Sequence, residues 1–194
     1  MTQNYELYFI LNSSIEDQNV ETEIDLVQES LKEIRADKVE VQKQGQKKLA
    51  YPIKKHTTGN YILINFDLEL ENLKKIITLE KKLNLNESII RYIIVNQTEY
   101  NKQAEKQTLK ETEIASHRDF NKGKKDKSCF VSFLGYRVID YKDKGFLDQW
   151  TSPYSKIFDK QRTGTTAKNQ RKIAQAIKRA RHMALIPFTP KHFK

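Results

Sequence analysis

The chain has 194 residues, with 35 lysines and arginines against 25 aspartates and glutamates and a formal net charge of +10. A single cysteine, Cys129, excludes an intramolecular disulfide framework and fits a reducing compartment. No window approaches about eighteen consecutive apolar residues, so no membrane-spanning helix is expected, and the start MTQNYELYFIL lacks the basic stretch and long apolar run of a secretory leader.

In chain order, YELYFIL (5–11) alternates as a strand, with Tyr5, Leu7, Phe9 and Leu11 on one side. Ser14, Glu16 and Asp17 then suit a helix N-terminus and its dipole. Val20, Ile24, Val27, Leu31 and Ile34 come next at steps of four and three, one helical stripe. VEVQKQGQKKLAYPI (39–53) reads as a long strand with an irregularity at Gly45 and an end at Pro52. HTTGN (56–60) reads as a turn and YILINFDLEL (61–70) as a strand pairing back as a hairpin. Leu73, Ile76, Ile77 and Leu83 mark a second helix, and SIIRYIIV (88–95) a last strand. The order βαββαβ predicts an α+β fold, the ferredoxin-like arrangement: four antiparallel strands, two helices on one face, and the other face left for a partner. About ninety-five residues suffice for such a core without staples.

Residues 97–127 break the pattern, with few apolar residues and many charges of both signs, as in a linker or extended tail. A short helix near 103–114 fits within it. From Cys129 the chain turns apolar and aromatic again. Asp140 is placed to cap a short helix reaching Trp150, and TSPYSKIFDKQRTG reads as a turn and an extended approach to a basic helix. The predicted organisation is therefore a ferredoxin-like domain over 1–96, a charged linker over 97–127, and a small, mostly helical basic domain over 128–194.

That last domain holds the charge. Residues 1–98 carry 13 bases and 15 acids, residues 99–134 carry 8 and 6, and residues 135–194 carry 14 and 4, a net of +10. In AKNQRKIAQAIKRARHMALIPF (167–188), Lys168, Arg171, Lys172, Lys178, Arg179, Arg181 and His182 fall on one side of a helical wheel. Ile173, Ala176, Ile177, Ala180 and Ala184 fall on the other. Thr166 is the expected N-cap and Pro187 the expected stop. Like charges one turn apart weaken an isolated helix. A membrane-surface helix would carry bulky anchors where this face has alanine. Neutralised phosphates, which release condensed counterions, account for both features, so nucleic acid is the expected partner.

Two resemblances rest on these residues. YELYFILN, KKLAYPIKK, GNYILINF and IIRYIIV, in this order within 4–98, resemble bacterial small-subunit ribosomal protein six. IDYKD (139–143) and RTGTTAKNQRKIAQAIKRARHMALIPF (162–188) resemble bacterial small-subunit ribosomal protein eighteen. The families are known partners. The resemblance implies a structural component of the small ribosomal subunit, bound on its platform to the central domain of small-subunit rRNA and next to neighbouring small-subunit ribosomal proteins. Here the pair would be joined in one chain, with intramolecular docking of the two halves. A flexible 31-residue linker spans roughly 30 Å. The implied location is the bacterial cytoplasm, or else a plastid or other organelle ribosome.

The expected RNA-binding residues are Arg162, Lys168, Arg171, Lys172, Lys178, Arg179, Arg181 and His182, with Lys47, Lys48 and Arg91 in the first domain. Ahead of the TG in RTG the family offers further arginines, where this chain has Asp159, Lys160 and Gln161. Tyr51, Tyr61 and Tyr92 suit either base stacking or packing in the sheet. Some members of the second family carry Cys-x-x-Cys where this chain has Cys129 and Ser132, with His117 the one nearby ligand candidate, so no metal and no cofactor is expected. Walker-type phosphate loops, His-Glu-x-x-His and nucleophile elbows are absent, which argues against an enzyme. The alternative is a free RNA-binding regulator whose sheet works like an RNA-recognition motif, although GNYILINF lacks that module's glycine–aromatic core.

Overall fold

The structure, a computed structural model, describes residues 2–13, 17–97, 131 and 139–189. They fall into two compact units, one on either side of the stretch between 97 and 139. Ser14, Glu16, the charged stretch and its expected helix near 103–114, His117, Cys129 and Ser132 lie outside the described residues. No helix among the described residues is long and apolar enough to cross a membrane.

The first unit runs β1 (Thr2–Asn12), α1 (Asp17–Glu33), β2 (Asp37–Ile53), β3 (His56–Glu69), a 3-10 turn (Leu70–Lys75), α2 (Ile76–Leu85) and β4 (Ile89–Asn96). All neighbours pair antiparallel in the order β2-β3-β1-β4. This is the expected ferredoxin-like arrangement. Tyr5, Leu7, Phe9 and Leu11 meet Ile62, Ile64, Phe66 and Leu68 on one face, where Val20, Ile24, Val27 and Leu31 of α1 and Leu79 and Leu83 of α2 close the core. In β1 the alternation conceals something, because Tyr8 and Ile10 on the opposite face are buried too. Tyr8 lies beside Tyr61, ring centroids 5.5 Å apart, and its hydroxyl donates to Gln44 Oε1 at 2.9 Å. Ile77, expected on the helical stripe, is exposed instead, and Leu79 takes the buried position. The 3-10 turn ahead of α2 shifts the phase of the helix.

The hairpin turn sits elsewhere than expected. Residues 56–60 are strand, β2 continues past Pro52, and Ile53 pairs with His56. The loop is Lys54–Lys55, with φ of 47° and 70°. Positive φ at both central residues is the type I′ signature, and its twist matches the flanking strands although glycine or asparagine usually supplies it. Gly45, at φ 76°, shifts the β2–β3 register between Lys43 and Gly45, as anticipated for an irregularity there. α1 ends with Arg35 at φ 60°: Ala36 N–H donates to Leu31 O at 3.0 Å and Arg35 N–H to Lys32 O at 2.9 Å, the paired bonds of a Schellman cap.

The second unit contains α3 (Lys144–Asp148), α4 (Lys160–Thr163) and α5 (Ala167–His182). Asp143, not Asp140, caps α3, accepting from Phe146 N–H at 3.0 Å. Asp140 instead closes a local turn by accepting from Lys142 N–H at 2.9 Å. The approach to α5 holds a four-residue helix where extended chain was expected, because Asp159 caps it and Gly164, at φ 65°, ends it. Ile139, Tyr141, Leu147 and Trp150 are buried, as are Ile173, Ala176, Ile177 and Ala180 of α5.

Gly59 is closely approached by the neighbouring strand. A Cβ there would stand 2.4 Å from Ile10 Cγ2 and 3.2 Å from the Leu11 carbonyl oxygen. Gly59→Ala should therefore cost about 1–3 kcal/mol, the range for overpacking a close-packed interior. Urea unfolding followed by far-UV circular dichroism measures this, and an unchanged midpoint would contradict the packing.

Candidate nucleic-acid interface

The cationic face is built by α5. Thr166 caps it as expected, its hydroxyl accepting from Asn169 N–H at 3.4 Å. At the other end the helix stops at His182, five residues before Pro187. Leu185 N–H donates to Ala180 O at 3.0 Å and Ala184 N–H to Arg181 O at 3.1 Å, with Ala184 at φ 52°. This is a Schellman cap again, so Ala184 belongs to the turn and not to the helical face, and it is fully buried there. No acid lies in the first turn, while Arg179, Arg181 and His182 in the last turn complement the helix dipole.

Burial of Ile173, Ala176, Ile177 and Ala180 fixes which way the helix faces. Lys168, Arg171, Lys178 and His182 are exposed, and Lys172 and Arg179 are half-buried at the flanks. Lys168 lies one turn from both Arg171 and Lys172. Like charges at that spacing each destabilise a helix by about 0.2–0.5 kcal/mol. The face concentrates positive potential on an outward ridge suited to a polyanion backbone.

Arg181 stands apart. Its Nη2 donates to the Ser155 carbonyl oxygen, and its guanidinium carbon lies 5.9 Å from the Phe188 ring centroid. Burial lowers its pKa. Ser155, itself buried at φ 58°, is held by its N–H donating to Ser152 O at 2.8 Å. Arg181 thus ties α5 to the 152–156 turn. Arg162, on α4, is exposed and stacks over Phe158, guanidinium carbon to ring centroid 3.9 Å.

In the first unit, Lys47 Nζ donates to Gln44 Oε1 at 2.8 Å and lies 5.5 Å from the Tyr61 ring centroid. Arg91 Nη1 donates to Tyr51 Oη at 2.7 Å, with the guanidinium 5.9 Å from that ring. Both cations belong to the sheet face opposite the helices, among tyrosines. Burial raises the Tyr51 and Tyr61 pKa values, against the nearby Arg91 charge at Tyr51. Lys48 is exposed on the other side of the strand. Tyr92 packs with the helix-side core. Among the described residues, no group of three or more His, Cys, Asp or Glu comes together to hold a metal ion.

Comparison with known proteins shows the same division. Residues 4–96 match the family model described as Ribosomal protein S6, and residues 135–186 that described as Ribosomal protein S18. Small ribosomal subunit protein bS18 of Phocaeicola vulgatus is 51% identical over 65 residues, covering 34% of this chain and 73% of that protein. Its counterpart in Porphyromonas gingivalis is 49% identical over 65 residues, covering 34% and 72%. The crystal structure of 30S ribosomal protein S6 from Thermotoga maritima is similar at 28% identity and a TM-score of 0.47, covering 56% of this chain and 99% of that one.

Arg181→Gln should destabilise the second unit by about 1.5–3 kcal/mol, the range for a hydrogen bond to a charged group. Lys178→Gln and Arg171→Gln, at exposed positions, should stay within about 0.5 kcal/mol of the parent. Denaturant unfolding read by the fluorescence of Trp150, the single tryptophan, separates the two classes. Equal effects at all three positions would contradict the tether.

Proposed function

The chain belongs to the ribosomal protein S18 family and carries a ribosomal protein S6 domain ahead of it in the same polypeptide, and from that premise we propose that it binds the central domain of small-subunit rRNA on the platform as a covalently joined pair. Its role is that of a structural protein of the small ribosomal subunit. The observation that carries the RNA reading is the orientation of α5. Its apolar side is buried, and Lys168, Arg171 and Lys178 stand exposed along one ridge. Such a face meets phosphates, which position a protein without specifying sequence, and selectivity then comes from the shape of the folded RNA. Lys47, Lys48 and Arg91 join this reading as contacts to RNA or to a protein neighbour. The place of action is the ribosome, in the cytoplasm for a bacterial source.

The division into a domain over 1–96, a connecting stretch over 97–127 and a basic domain from 128 belongs to the same proposal, with docking of the two halves on each other. What supports docking is the second sheet face of the first unit. Tyr8, Ile10, Tyr61 and Leu63 make that face apolar, and the two helices close the opposite one. An antiparallel sheet with an apolar second face needs a partner layer. Tethering sets the effective concentration of the second half on the order of millimolar. In NMR relaxation of the intact chain, the two units should tumble with one correlation time; two independent times would rule docking out.

For RNA binding, the triple replacement Lys168→Gln, Arg171→Gln and Lys178→Gln should flatten the dependence of log affinity on log salt. The slope falls by about 0.7–0.9 for each phosphate that the protein no longer neutralises. Filter binding to the central domain of small-subunit rRNA across a salt series measures it, and an unchanged slope would remove α5 from the interface. Sedimentation of lysate in high-magnesium buffer adds the cellular check: the chain should travel with small subunits, whereas a free regulator stays in the light fractions.

A further inference from the structure

Between the exit of α3 and the short helix α4, the second unit holds an open cleft of about 270 Å³ lined by Gln149, Trp150, Phe158, Arg162 and Thr163. We propose that this cleft is a slot for one unpaired nucleobase of single-stranded RNA, stacked on the Arg162–Phe158 pair above a Trp150 floor. The inference rests on the RNA-binding reading above and adds to it a base-binding element separate from the phosphate-binding ridge of α5.

The walls are built before any ligand arrives. Trp150 is buried and backed by Phe146, ring centroids 5.9 Å apart. Phe158 N–H donates to Trp150 O at 3.0 Å, and the Thr151–Ile157 bridge holds the intervening loop closed. From the other side, Gln170 of α5 donates through Nε2 to Phe158 O at 2.6 Å. Asp159 caps α4, accepting from Arg162 N–H at 2.9 Å, and so fixes the backbone from which Arg162 reaches over Phe158. The guanidinium, 3.9 Å from the ring centroid, lies at stacking distance.

The chemistry selects the occupant. A planar cation stacked on an aromatic ring extends a π-stack on which every nucleobase has a face. Arginine suits this where lysine does not, since its charge is delocalised over a plane. At the rim, the exposed Gln149 amide offers both donors and an acceptor to a base edge. Among the described residues, no carboxylate lines the cleft to repel the phosphate that accompanies the base. Its volume, just below the range of drug-sized sites, suits one heterocycle.

Trp150 reports on the slot directly, as the single tryptophan of the chain. The full chain is titrated with an octamer of uridylate and with an octamer of the same ribose-phosphate backbone lacking bases, at equal salt. The expected result is a change in Trp150 emission with the base-bearing oligomer only, and about tenfold or tighter binding of that oligomer. Arg162→Lys keeps the charge and loses the plane, so it should lose most of the discrimination while still binding both oligomers. Phe158→Leu, with its fold checked by circular dichroism, should do the same. Equal affinities and no emission change, with a steep salt dependence retained, would overturn the slot and leave the phosphate ridge standing. Failure of either oligomer and of rRNA to bind would overturn both. Full discrimination retained in Arg162→Lys would overturn the stacking geometry.

Discussion

The second unit depends on one constraint, the conflict within α5 between like charges crowded on one face and the requirement that the helix exist. Lys168 with Arg171 and Lys172, and Lys178 with Arg181, repel within single turns. An isolated peptide of this length is already marginal. Ile173, Ala176, Ile177 and Ala180 answer the repulsion, because their burial supplies the free energy that the charged face withholds. Small residues serve here where larger ones would not, since alanine brings the helix backbone close to its packing partner and still favours helix. The same burial prevents the helix from rolling, so the cations remain outward. Packing and presentation are thus one arrangement.

The cations of this chain also divide by task. Arg181 sits in the middle of the basic run and is indistinguishable from its neighbours by residue type. Its guanidinium nevertheless turns back to the Ser155 carbonyl and the Phe188 ring. Lys47 and Arg91 likewise lie among Gln44, Tyr61 and Tyr51. A guanidinium with five donors can satisfy an internal carbonyl and still offer donors outward, so such residues hold a surface in shape as well as charging it. Lys168, Arg171 and Lys178 stand out in solvent, and theirs is the charge that acts at long range.

Much of this is legible along the chain because it arises from period. Leu7, Phe9 and Leu11, the stripe from Val20 to Ile34, and the two faces of α5 are each set by a repeat of two or of 3.6 residues. Thr166 is legible because an N-cap is a local bond between a hydroxyl and an amide three residues on. What escapes is set by tertiary bonds or by left-handed backbone at residues with no propensity for it. Lys54, Lys55, Arg35 and Ala184 all take positive φ where glycine or asparagine is usual. HTTGN therefore carries the stronger turn signal and Pro187 the stronger stop signal, and neither is where the chain turns or the helix ends. Ile77 has the spacing of a core residue, but the 3-10 turn before α2 rotates it out. Asp140 and Asp143 are both good caps in isolation, and in the fold Asp143 accepts from Phe146 N–H while Asp140 accepts from Lys142 N–H. The cleft beside Arg162 has no sequence signal beyond one arginine and scattered aromatics, since its walls come from separate turns.

The burial of β1 on both faces extends this logic to the first unit. Leu7 and Phe9 are covered by the two helices, as any ferredoxin-like sheet requires. Tyr8 and Ile10, which alternate with them, are equally buried, and at Gly59 the missing side chain leaves room for Ile10. In such a strand a one-residue slip of register would carry Glu6, on the same side as Tyr8 and Ile10, into the apolar layer under the helices. Further devices hold the register: the Gly45 shift in β2, the Tyr8–Gln44 hydrogen bond and the two-residue turn at Lys54–Lys55.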